Sequence, residues 1–162
     1  MSRREIDRVN KLVRHIKGVQ ENCHILGERL IERGDVQFGI LLISRGFLHD
    51  STKWFGAEWD FLSDDNTDKE KLKIGITQHN RTNGHHPEFW DKGIHGMPPI
   101  CIAELVADWK ARSAERGTSL QEWIDGEAMK RFYFTKNDPV YEVMMDFVKL
   151  ILEPPLKSVT EL

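Results

Sequence analysis

The chain has 162 residues, with 23 basic against 26 acidic side chains, a formal charge of −3, and 40% hydrophobic and 30% charged residues. One domain is the prior at this length, enough to bury roughly 70% of the unfolded surface without disulfides. That balance excludes a disordered chain. The lack of a basic excess argues against an extended nucleic-acid surface, but leaves room for one nucleotide held by a local cluster.

The start, Met1-Ser2-Arg3-Arg4-Glu5, is charged and lacks the apolar region of a secretory signal. The longest apolar run of the first half, Ile40 to Ile43, is far shorter than the roughly 20 residues that span a bilayer. Cys23 and Cys101 form no C-x-x-C pair and read as buried thiols, so the expected setting is a reducing cytoplasm.

From Ile6, Val9, Val13 and Ile16 to Cys23 and Leu30 the apolar residues recur at helical spacing, giving one long helix from Arg4 to Glu32 or two joined at Gly18. Gly34 supplies a stop, and Asp35 an N-cap for a second helix through Leu48. Trp54 to Leu62 reads as a short helix or turn. The polar stretch Ser63-Asp64-Asp65-Asn66-Thr67 follows, then a helix from Thr67 or Asp68 to about Arg81. Asn83-Gly84 signals a turn and Pro87 the first turn of a short helix. Met97-Pro98-Pro99 breaks the chain before an apolar helix from Ile100 to Glu115, ended by Gly117. Helical patterns over Ser119 to Thr135 and Asp138 to Leu152 complete the chain, with Pro154-Pro155 as the last stop. No segment alternates with the period of a strand, so residues 1–162 are expected to form a single all-α domain, a compact bundle of six or seven helices.

Seven histidines occur: His15, His24, His49, His79, His85, His86 and His95. His49-Asp50 places an imidazole beside a carboxylate at the end of an apolar helix, and Asp108 interrupts another. His24, His79 and His85-His86 add nitrogen donors from separate segments. A divalent metal needs several N and O donors converging on one point, and a helical bundle can gather them from different helices.

The order His24, His49-Asp50, Asp108 resembles the H…HD…D signature of the HD-domain metal-dependent phosphohydrolase superfamily. His49-Asp50-Ser51-Thr52-Lys53 and His85-His86-Pro87-Glu88 are similar to elements of its HD-GYP branch, although no Gly-Tyr-Pro follows the histidine pair. Together, HDSTK, QHNRTNGHHPEFW and ELVADWKA most resemble an uncharacterised HD-like family of bacteria and phages. The resemblance implies an HD-like helical bundle with His24, His49, Asp50 and Asp108 on one metal ion. Asp50 would bridge to a second ion held by His79 and by His85, His86 or both. Two ions about 3.5–4 Å apart would activate water and clamp phosphate oxygens. The donors suit Fe, Mn, Co, Ni or Zn rather than Ca. The implied activity is hydrolysis of a phosphomonoester or phosphodiester, a nucleotide among the candidates, with Asp50 and Lys53 as catalytic groups. A branch of the same superfamily carries a mixed-valent di-iron centre and oxygenates small molecules, and a non-catalytic metal or nucleotide binder is the third reading.

Nearby cations fit an anionic substrate. Lys53 lies four residues after His49 and Arg112 four after Asp108, with Arg81 and Lys110 offset from the ligands on their helices. His15 and His95 are given no catalytic role, and Glu88 is read as a favourable charge at a helix N-terminus. Trp54, Trp59, Trp90 and Trp109 neighbour the motifs and read as core. The expected partner is a small phosphorylated substrate, with a homo-oligomer left open.

Overall fold

A computed structural model describes residues 3–63 and 66–154. Asp64, Asp65 and Pro155 of the readings above lie outside the described residues. The described chain is helical throughout, with α1 (Arg3–Glu32), α2 (Val36–Leu48), α3 (Gly56–Phe61), α4 (Lys69–Thr82), α5 (Pro99–Arg116), α6 (Leu120–Trp123), α7 (Met129–Phe132) and α8 (Pro139–Leu152). A π turn, Ile124–Ala128, joins α6 to α7, so seven helical rods form an all-α bundle with no strand among the described residues. None of these helices is long and apolar enough to cross a membrane.

The centre of the bundle is α5. Eleven of its 18 residues are buried, from Cys101 to Ser113, as expected of a helix surrounded by others. Pro99 opens it and Gly117, at φ +65°, closes it in the left-handed conformation that glycine adopts freely. Around it pack Val19, Cys23 and Leu26 of α1, Leu42 of α2 and Met144 and Val148 of α8, all essentially inaccessible to solvent.

Of the two readings for the first helix, the unbroken one is observed. Gly18 does not break it, since one glycine costs a helix interior only about 1 kcal/mol, and a Cβ there would make ordinary contact with Ala111 of α5. The approach of α1 to α2 is closer still. A Cβ on Gly39 would lie 2.4 Å from the Gly27 carbonyl oxygen, and one on Gly46 2.7 Å from Cys23 Cβ. Asp68 caps α4 by accepting from Glu70 and Lys71 N–H, and Ser119 caps α6 by accepting from Glu122 N–H. Asp35 makes no side-chain cap to α2; its carbonyl accepts from Gly39 N–H instead. Arg8 of α1 reaches the carbonyls of Glu58, Trp59 and Leu62, tying down the C-terminal end of α3.

Candidate metal centre

Four segments converge on α5. Glu104 and Asp108 are one helical turn apart on its buried length, and α1 brings in His15. The α2 helix stops at His49, and Asp50 follows with φ +56°. Few non-glycine residues adopt that left-handed conformation; aspartate tolerates it, and here it turns the carboxylate inward. The C-terminal turn of α4 supplies His79, and the turn after it His85 and His86.

Four imidazoles present Nε2 to the Asp50 carboxylate. His49 and His15 lie 3.4 and 3.6 Å from Oδ2, and His79 and His85 lie 3.4 and 3.5 Å from Oδ1. His86 Nε2 is 2.8 Å from His79 Nε2, and His15 Nε2 is 3.1 Å from Asp108 Oδ1. Most of these approaches are too long for hydrogen bonds. His49 Nε2, Asp50 Oδ1, His85 Nε2 and Asp108 Oδ1 are buried without a hydrogen-bond partner, and the only other such side-chain atom among the described residues is Trp123 Nε1. Buried polar atoms are nearly always satisfied, and four unpaired atoms facing one another could be satisfied together by a cation.

A carboxylate stands behind each of those four rings, on the Nδ1 side. His49 donates to Glu104 Oε1 at 3.0 Å, and His85 Nδ1 lies 3.4 Å from the same oxygen. His79 donates to Glu58 Oε2 at 2.7 Å, and His15 to Glu115 Oε1 at 2.9 Å. A proton held on Nδ1 leaves the Nε2 lone pair free, which is how carboxylates orient histidine ligands around metals. Arg45 pairs with Glu104 Oε2, Thr52 and Thr82 donate to Glu58, and Arg112 donates to Glu115, so all three supporting carboxylates are themselves held.

Donor atoms fall into two groups that share Asp50: His15, His49 and Asp50, and Asp50, His79, His85 and His86, each group within 4.8 Å. A third grouping, His49, His85 and Glu104, uses the Nδ1 atoms and describes the support behind the rings.

The electrostatics suit a cation. Burial alone would raise the pKa of Asp50, but His49, Lys53, His15 and His79 hold its carboxylate well below the usual range. Asp108 and Glu104 are likewise held low against burial, the first by His15, His49 and His85, the second by His49 and His85. Burial and Lys53 push His79 down to about 2; burial and His85 push His86 down to about 3, so both are neutral and have a lone pair to offer. His15 moves the other way, to about 9, because Asp108 and Asp50 outweigh its burial.

Most of the residues expected in the site meet there: His49, Asp50, His79, His85, His86 and Asp108. His24 does not. Nine residues after His15, it lies two and a half turns along α1 and on the opposite face, its side chain 56% exposed and 3.3 Å from Glu28. His15 occupies the place expected for it. Lys53 contacts Asp50 Oδ2 with 13% of its side chain exposed. Arg112 stands further out and binds Glu115, the carboxylate behind His15. Arg81 is exposed on α4, about 200° round the helix from His79. His95 is outside the cluster, beside the Tyr133 carbonyl.

Four supporting or ligating groups escaped the sequence reading: His15, Glu58, Glu104 and Glu115. His15 shares the stripe of Val19, Cys23, Leu26 and Leu30, steps of four and three that mark the inward face of α1. Glu104 could have been found as a carboxylate one turn before Asp108 on an apolar helix. No comparable pattern surrounds Glu58.

These features define an all-α protein with a buried histidine–carboxylate cluster able to hold a metal ion. Its sequence matches the model of a family of unknown function, DUF5662, over residues 4–154, and the chain belongs to that family. No curated protein and no solved structure matches it.

Proposed function

We propose that the chain is a metal-dependent phosphohydrolase with an HD-type dinuclear centre. His15, His49, Asp50 and Asp108 would hold one transition-metal ion, and Asp50, His79, His85 and His86 the second. The observation that carries this reading is the convergence of four Nε2 atoms on Asp50, each ring backed by a glutamate. Bound divalent ions would supply Lewis acidity, lowering the pKa of a coordinated water and offsetting charge on phosphate oxygens.

The protein groups then have separate tasks. Asp50 bridges the two donor sets, and its left-handed backbone aims both oxygens at the histidines. Glu58, Glu104 and Glu115 keep the protons on Nδ1 and fix the ring directions. Lys53 is the cation nearest Asp50 that retains some exposure, and in this reading its ammonium meets a phosphate oxygen of the substrate. That cation favours an anionic substrate.

The test is phosphate release from a panel of phosphomonoesters, phosphodiesters and nucleotides by protein reconstituted separately with Mn, Co, Ni, Zn and Fe. Turnover is expected with at least one metal, abolished in Asp50→Asn and reduced about 100-fold in Lys53→Ala. Bound metal without turnover on any of these esters would overturn the hydrolase reading. Iron with oxygen uptake would transfer it to the di-iron oxygenase branch.

A further inference from the structure

The outer face of α2 has no partner among the described residues. Val36, Ile40, Leu41, Phe47 and Leu48, with Ile25 of α1 beside them, are 39–71% exposed. This stripe runs the whole 13-residue helix, about 20 Å at 1.5 Å per residue. Its exposed fractions leave roughly 600 Å² of apolar surface, most of the ~800 Å² that each partner of a standard interface buries. A hollow of about 210 Å³ between Ile43 and Phe47 of α2 and Gln20, Glu21 and His24 of α1 indents the same face.

The charges narrow the choice of occupant. The only charged residue of α2 is Arg45, which turns inward to Glu104. The α1 rim carries Glu21, His24 and Glu28 at i, i+3 and i+7, with His24 paired to Glu28. Exposed Lys17, one turn before Glu21, is the basic residue of this rim and stands against Glu21 and Glu28, so the face offers no basic cluster for anionic lipid or nucleic acid. A small substrate cannot cover 20 Å. Uncharged, helical and nearly large enough for half an interface, the face is suited to meeting itself across a two-fold axis, the commonest symmetry of soluble oligomers.

We infer that the outer face of α2 is the interface of a homodimer, with a second copy of this chain as its occupant. The inference is independent of the metal reading, since none of these side chains is placed in the metal centre.

The test is light scattering after size exclusion at tens of micromolar protein, for wild type, Ile40→Glu and Leu41→Lys. Wild type should show twice the 18.9 kDa chain mass. Both substituted side chains are half exposed, so both variants should keep the helical circular dichroism of wild type. Each should weaken dimerisation at least about 100-fold and elute at the mass of one chain. A monomeric wild type, including one that binds neutral lipid vesicles instead, would overturn the proposal. So would a dimer that persists in both variants.

Discussion

Glu104→Gln is the most informative single change, because one carboxylate supports two rings. Glu104 Oε1 faces Nδ1 of both His49 and His85, at 3.0 and 3.4 Å, and Oε2 holds Arg45 at 2.6 Å. Glutamine keeps the shape but loses the charge and replaces one acceptor oxygen with a donor. Whichever way the amide turns, either the two imidazole N–H groups or the guanidinium meets an N–H. Hydrogen bonds to charged groups contribute about 1.5–3 kcal/mol each, so loss of one or two predicts about 2–4 kcal/mol of destabilisation in the metal-free protein. Metal affinity should fall about 10–100-fold, the usual effect of losing an outer carboxylate. Competition titration with a chromophoric chelator measures the affinity and urea unfolding the stability. Unchanged affinity in a folded Glu104→Gln protein would refute the claim that this residue orients the ligands.

His15→Ala should lower metal content and His24→Ala should leave it at the wild-type level, read by elemental analysis; equal effects would contradict the placement of the two histidines. Gly39→Ala should lower stability by about 1–3 kcal/mol, since its Cβ would strike the Gly27 carbonyl, whereas Gly126→Ala, with open space around it, should be neutral or stabilising in the same thermal melts. The metal-free protein should lose stability on acidification below about pH 6.5. His79 and His86, lowered to about 2 and about 3, bind protons more readily when unfolded, which costs up to about 1.4 kcal/mol per pH unit for each group. Asp50, Asp108 and Glu104, whose folded pKa values are depressed, contribute stability above about pH 4 that is lost as the pH falls further. His15, raised to about 9, contributes stability that is complete below about pH 6.5 and is lost as the pH rises through about 9. Urea midpoints across pH 4–9 check both limbs, and a flat profile would contradict them.

The helices were legible because their apolar residues recur at helical spacing and their ends carry chemical stops: Gly117 after α5, Asp68 and Ser119 before α4 and α6. Asp35 was an equally good sequence cap, yet its carboxylate makes no capping bond. At Gly18 the local cost of one glycine, about 1 kcal/mol, is too small to interrupt a 30-residue helix. The paired motifs, His49-Asp50 and His85-His86, identified much of the candidate site because their neighbours in sequence also meet in space. The first histidine expected in the site, His24, lies outside the cluster for a geometric reason. One residue is 100° of helix, so His24 lies about 100° to one side of the buried Cys23 and faces solvent, while His15, eight residues before Cys23, lies about 80° to the other side and faces Asp108 and Glu115 of α5. Glu58 was not legible at all, since it meets His79 only through the packing of α3 against α4, a contact 21 residues apart in the chain that no sequence pattern marks.

The most direct measurement is the metal content of tag-free protein, wild type against Asp50→Ala, after reconstitution with Fe, Mn, Co, Ni or Zn. Two donor groups sharing Asp50 predict about two equivalents in wild type and loss of both ions in the variant. Wild type that takes up none of these metals, or an Asp50→Ala protein that retains its full complement, would contradict a metal centre built on Asp50.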